Sequence, residues 1–242
     1  MDDGIGERFF RETRHRRDHL VGGRMDWSAQ PEWSTTFPDA PRVALPAIVS
    51  GGEPGLFEVM ARRRSVRRYG GAPTTLEELA RLLWAAAGVT REKNGIAFRT
   101  TPSAGALYPI ETYVVVNRVG DLEPGLYHYA VREHALERLR TGDLRHAAAQ
   151  AALDQQMVAK ADVVFVWTAV FERCRWKYGP RAYRYIWLDV GHIAQNVALA
   201  AVALELGSCQ IAAIYDDEAD ALLGVDPEHE GVLYMTTVGR PL

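Results

Sequence analysis

Residues 161–170 read ADVVFVWTAV, apolar at nearly every position and rich in β-branched side chains. A run this short and this apolar suits a strand buried on both faces, at the centre of a sheet. Working outward, strand patterns recur at 111–119 (ETYVVVNRV), 125–130 (GLYHYA), 134–140 and 231–238 (GVLYMTTV). The second and third of these read as a hairpin across 131–133. Helical spacing appears after Pro54, where Leu56, Phe57, Val59 and Met60 make a face. It appears again at 75–87, where Thr75 and Glu78 form a capping box, Leu76, Leu79, Leu82 and Leu83 share one side, and Gly88 ends the helix. Other helices are expected near 6–19 and 143–153, at 180–206 closed by Gly207, and at 216–223. Strands and helices do not alternate as in a doubly wound sheet, so the expected class is α+β with one sheet.

Composition bounds the function. The chain has 242 residues, 48% of them hydrophobic, which is enough apolar surface to offset chain entropy and build a core. A net charge of -3 argues against a dedicated nucleic-acid binder. The stretch 193–206 is interrupted by Gln195, Asn196 and Glu205, so it is expected to be too short and too polar to span a bilayer. MDDGIGERFF carries no apolar run, so no secretory signal is expected. Cys174 and Cys209 are far apart and neither CxxC nor HExxH occurs, so no metal is assigned and a reduced, cytoplasmic protein is expected. Residues 1–53 hold Pro31, Pro38, Pro41 and Pro46 and read as a short helix and an extended arm; residues 54–242 form the main domain. The helix 189–206 is apolar almost all round, which is easiest to explain if a second subunit covers one side, so a homodimer is expected.

Four segments could carry chemistry. In ARRRSVRRYGG, 61–71, five arginines fall within seven residues beside Ser65, a donor set shaped for a phosphate or, more blandly, a solvated basic face. In TPSAGALYPIE, 101–111, small residues permit close backbone approach to a flat ligand, or simply make a loop. In FERCRWKYGPRAYRYIW, 171–187, tryptophans and tyrosines mix with arginines around Lys177, one of only three lysines. Nearby cations and desolvation both favour the neutral amine that a general base requires, and Tyr178 could relay a proton. The same mixture also serves as a cation–π surface that packs a helix. Arg240, near the C-terminus, could add a charge to a phosphate site or be merely solvated.

Taken in order, RRRSVRRY, PSAGALYPIETYVVV, GLYHY, FERCRWKYGPRAYRYIWLDVGHIAQN, LGSCQIAAIYDDEADALLGVD and the final VGRP resemble the nitroreductase superfamily. More narrowly they resemble its SagB-type dehydrogenase branch, the azoline oxidases. The resemblance implies an α+β fold with a single central, mainly antiparallel sheet flanked by helices, dimeric with extended arms, and FMN at each of two interface sites. It implies phosphate and ribityl contacts from Arg63, Arg64, Ser65 and Arg67, with Arg240 adding to the phosphate site. Ser103, Ala104, Gly105 and Ala106 would reach the flavin ring; Ile211, Ala212 and Ala213 would lie along it, often from the other subunit. Ala212 stands where relatives often carry glycine. Lys177 and Tyr178 match the pair that serves the chemistry in azoline oxidases. The implied reaction converts a thiazoline or oxazoline, in a peptide or small molecule, to the azole, with a possible biosynthetic partner enzyme. The competing readings are an NAD(P)H-dependent nitro- or quinone-reductase and a flavin-binding structural partner of a biosynthetic complex.

Overall fold

The computed structural model describes residues 4–23, 25–49 and 51–242. In chain order the elements are α1 (Ile5–Glu12), β1 (Arg42–Ala44), α2 (Leu56–Arg62), α3 (Leu76–Ala87), β2 (Val89–Lys93), β3 (Ile96–Arg99), β4 (Ile110–Val116), β5 (Gly125–Ala130), β6 (Ala135–Thr141), α4 (Arg145–Ala151), α5 (Gln156–Lys160), β7 (Val163–Val170), α6 (Phe171–Tyr178), α7 (Ala182–Ala203), β8 (Gly207–Ile211), α8 (Asp216–Leu223) and β9 (Glu230–Gly239). Seven strands make the main sheet in the order β1-β6-β5-β4-β7-β9-β8, and β2 with β3 makes a separate hairpin. Every named strand pair is antiparallel.

Burial on both faces explains the apolar run that marks β7. Its residues Val163, Phe165, Trp167 and Ala169 pack against α3 and α7, while Val164 and Val166 pack against α4, α5 and α8. β4 divides in the same way, with Val114 and Val116 on one side and Tyr113 and Val115 on the other. Helices therefore cover both faces, and alternation cannot show in the sequence because neither side meets water. The α3 capping box forms as the sequence implies: Thr75 accepts from the Glu78 amide at 3.1 Å, and Glu78 accepts from the Thr75 amide at 2.8 Å.

Several boundaries depart from the sequence reading. The helix expected at 180–206 stands as α7, but a helix the sequence reading lacked, α6, precedes it and ends at Gly179, whose φ of +53° suits glycine, with Pro180 between the two. One flank of α7 is open rather than wrapped, with Trp187, Leu188, Gly191, His192 and Gln195 exposed. The helical run Phe171–Ala203 is also long and apolar enough to cross a membrane by length and composition, contrary to the expectation from 193–206. Half of its apolar window is nonetheless buried inside this fold, which is the behaviour of a core helix. Gly207 does not close a helix but opens β8, and a Cβ there would lie 2.7 Å from the Val66 side chain. That glycine lets the arginine-serine segment lie flat against the sheet edge. The arm packs on its own chain, where β1 pairs with the edge strand β6.

Candidate functional site

The arginine-serine motif leaves α2 and runs beside β8. Ser65 bridges Ser208 in parallel, and the Val66 amide donates to the Ser208 carbonyl at 2.8 Å. Tyr69 locks the far end: its hydroxyl sits 2.7 Å from Thr237 Oγ1 and 2.6 Å from the Val66 carbonyl. The backbone is thus fixed, while the side chains of Arg63, Arg64, Arg67 and Arg68 form no ion pair among the described residues. Arg62, Arg63 and Arg64 line a cavity of about 510 Å³ together with Val202, Glu205 and Leu206 at the C-terminal end of α7. Glu205 and the α7 carbonyls are the negative counterweight on this rim. Arg240 is not among the lining residues; its guanidinium pairs with Glu78 Oε1 at 2.6 Å. Ile211 is the buried end of β8, and Ala212 and Ala213 follow it exposed. All three therefore continue the strand that carries the arginine-serine bridge.

The other predicted residues meet at the opposite end of α7. Ser103 donates to Asp189 Oδ2 at 2.5 Å and accepts from the Tyr108 amide at 2.9 Å, which holds the small-residue loop on the helix. Burial pushes the Asp189 carboxyl above its ordinary value. Gly105 has a φ of +66°. A Cβ at Gly105 would lie 2.7 Å from Tyr178 Oη and 2.9 Å from Lys177 Nζ, so both polar tips converge on this one backbone position. Lys177 Nζ also lies 5.5 Å from the Tyr178 ring centroid, and Tyr178 packs on Tyr185 at 4.6 Å. Burial pushes the Tyr178 phenol up. Gly105→Ala is expected to keep the fold and displace the pair, lowering turnover by about 10–100-fold through misplacement on the ångström scale. Steady-state kinetics with a circular-dichroism control checks it, and wild-type turnover in a folded variant would count against the convergence.

α6 is held in place from beneath. Arg173, one turn before Lys177, pairs with Glu111 Oε1 at 2.6 Å and donates to the Glu32 carbonyl at 2.8 Å. Glu111 also accepts from the Thr35 amide at 2.6 Å and from His128 at 3.3 Å, and His128 reaches Glu137 at 2.9 Å. Arg42 completes the row on Glu137 at 3.0 Å. Burial alone would push Glu111 up, but Arg173 and then His128 hold its carboxyl well below the usual range. Burial alone would push His128 down, but hydrogen bonds and charge from Glu111 and Glu137 raise it to about 9. This buried row ties the arm, three strands and α6 together.

This chain belongs to the nitroreductase family, whose profile matches residues 60–240. It is an oxidoreductase of that family. A Methanocaldococcus jannaschii protein named among the nitroreductases, MJ1384, is 41% identical over 204 residues, covering 84% of this chain and 98% of its own. The trifolitoxin-processing protein TfxB of Rhizobium leguminosarum bv. trifolii is 34% identical over 147 residues, 59% of this chain and 39% of TfxB. A crystal structure of a nitroreductase-type chain from Anabaena variabilis aligns with a TM-score of 0.77 at 28% identity, covering 98% of this chain and 47% of that one. This chain therefore spans less than half the length of the last two.

The sequence reading missed one wall of the second site. Asn94 and Gly95 at the β2–β3 turn, with Ile96 and Ala97, line a cavity of about 400 Å³ beside Gly105 and Lys177. The signal was present: Asn94-Gly95, with φ of +54° and +77°, is the dipeptide that favours a two-residue hairpin turn. Trp27 and Trp33 of the arm line the same cavity.

Proposed function

We propose that this chain is an FMN-dependent dehydrogenase of the SagB type. It oxidises a thiazoline, oxazoline or related heterocycle to the aromatic azole in peptide natural-product biosynthesis. The observation that carries this reading is the convergence of Lys177 Nζ and Tyr178 Oη on Gly105. Such a pair suits removal of a proton from carbon, which reduction of a nitro group does not require. The likeness to TfxB, named for trifolitoxin processing, adds support.

The residues present fit FMN. Arg63, Arg64 and Arg67, without an ion pair among the described residues, offer charge to a phosphate, and Ser65 offers a hydroxyl. The left-handed Gly105 backbone offers a flat approach beside two polar tips. Ile211, Ala212 and Ala213 would line the path between. Arg240 would join the phosphate only by sharing itself with Glu78. When bound, the flavin supplies the hydride acceptor. Lys177 takes the proton from the neighbouring carbon, Tyr178 orients and relays it, and Ser103 and Ala104 are braced by Asp189.

The two sets of residues belong to different subunits in this reading. Along α7 they are set apart by the stretch from Asp189, which holds Ser103, to Val202 beside the arginines, about 20 Å. The open flank of α7 leaves Trp187 and Leu188 54% and 58% exposed, and α2 nearby leaves Phe57 84% exposed. A two-fold dimer pairing these flanks antiparallel sets the arginine end of one α7 against the lysine end of its partner. The protein is then a cytoplasmic homodimer, in keeping with its two buried free thiols.

The test begins with the visible spectrum and the mass of the purified protein, expected to be a dimer with about one FMN per chain. Anaerobic addition of a 2-aryl-thiazoline should then bleach the flavin without nicotinamide. The second reading, an NAD(P)H-dependent nitro- or quinone-reductase, is favoured by the 41% identity to MJ1384. Bleaching by NADPH and not by thiazoline would select it.

A further inference from the structure

The cavity beside Lys177 has walls from four separate parts of the chain. They are the arm (Trp27, Trp33), the β2–β3 turn, the 105–108 loop and the end of α6. What joins these walls is an alternating stack. The Arg99 guanidinium lies 4.6 Å from the Tyr108 ring and 5.0 Å from the Trp33 ring, and Arg132 lies 4.3 Å from the same Trp33 ring. Arg132 then donates to the Gly95 carbonyl of the hairpin turn at 3.3 Å and pairs with Glu92 at 3.0 Å. Arg99 is almost wholly buried, and its Nε and Nη2 have no hydrogen-bond partner. Burial lowers its guanidinium to about 10. The Trp33 and Tyr108 rings, with the charge of the buried Glu111 carboxylate, hold it in place. Tyr108, at a φ of +45°, closes a loop in which Ala106 is also left-handed at +54°. These are positions that non-glycine residues occupy only when their surroundings fix them. At the mouth, Trp27 meets Trp176 edge-to-face at 5.2 Å, and Trp176 Nε1 donates to the Asp26 carbonyl at 2.7 Å.

We propose that this cavity is the binding site for a planar heterocyclic ring, neutral or anionic, and that Trp33 is its positioning residue. Among the described residues the lining is aromatic and aliphatic apart from Gln30, Asn94 and Lys177, and it contains no carboxylate. Arg99 and Arg132 lie behind it with Glu111 and Glu92 as their counter-charges, so it is the lining itself, without an acid to pair with, that disfavours a cation. Trp33, gripped between those two guanidiniums, holds the arm wall against the hairpin turn and the left-handed loop. The inference rests on the dehydrogenase reading for the identity of the ring, but not for the existence of the site.

The test uses the flavin-loaded protein and 2-phenylthiazole-4-carboxylate, an oxidised ring that cannot react. Its affinity is read by quenching of tryptophan fluorescence, and the corresponding thiazoline is used for kinetics. Trp33→Ala is expected to weaken thiazole binding and raise KM about ten-fold, with a smaller effect on kcat, and Trp33→Phe to recover most of the loss. An N-methylthiazolium probe should bind more weakly than the carboxylate. Unchanged Kd and KM in Trp33→Ala, or tighter binding of the cation, overturns the proposal. Loss of flavin from Trp33→Ala with unchanged thiazole affinity also overturns it, because the cavity would then belong to the flavin. Thiazole binding that depends on Trp33, without thiazoline turnover, leaves the site standing and removes the dehydrogenase reading instead.

Discussion

Lys177→Ala is expected to lower turnover of a thiazoline by about 10²–10⁴-fold while the protein keeps its flavin and its fold. The size follows from loss of a positioned base at a carbon acid, where water is a poor substitute. The flavin is expected to stay because the arginine-serine segment lies at the other end of α7 from Lys177. Lys177→Arg should not restore the rate, since a guanidinium stays protonated at any working pH. Tyr178→Phe should cost less, since Lys177 Nζ still reaches Gly105 without the phenol. Single-turnover flavin reduction measures the chemical step directly. A folded, flavin-bearing Lys177→Ala protein that reduces its flavin at the wild-type rate would show that the base lies elsewhere.

The second large effect falls on stability. Glu111→Gln is expected to cost about 3–5 kcal/mol, measured by urea denaturation near neutral pH. Glu111 is 1% exposed and is the negative centre between Arg173 and His128, so the neutral amide leaves buried positive charge without its counterpart. The surface pair Arg62–Glu58 supplies the control, and Glu58→Gln should shift stability by about 0.5 kcal/mol or less. The same row sets a pH window. His128 is raised, so its contribution is complete below its ordinary value near 6.5 and is lost as pH climbs through about 9. Glu111 is lowered, so its contribution is complete above about 4.5 and is lost as acid protonates it. Stability should therefore decline on both sides of this window, and the alkaline decline should be absent from His128→Leu. A flat profile from pH 6 to 9 in the wild type would contradict the assignment.

Most of the core could be read from the sequence because apolar periodicity and capping residues act locally. The strands at 111–119 and 161–170 and the helix at 75–87 stand within a few residues of β4, β7 and α3. What escaped was set by distant contacts. β8 (GSCQI) carries two polar residues and owes its existence to β9 on one side and the Ser65 segment on the other. β1 is three residues long and is a strand only because β6 offers an edge. Of the site, the motifs were legible singly but their grouping was not. Nothing in RRRSVRRY or FERCRWKYG says that a 22-residue helix separates them. Glu111, His128 and Arg173 gave no signal either, because a buried ionic row has no sequence period. The Asn94-Gly95 turn is the exception, a local signal for a hairpin that needs no distant contact.

The length of α7 has a genetic corollary. If one chain grips the phosphate and the other works the proton, two inactive proteins can repair each other. One carries Arg63→Ala with Ser65→Ala, and the other carries Lys177→Ala. A mixed dimer collects both defects in one site and leaves the other site whole. With random exchange, half of the dimers are mixed and each has one working site of two. An equal mixture of the two inactive proteins should then recover about a quarter of the wild-type rate.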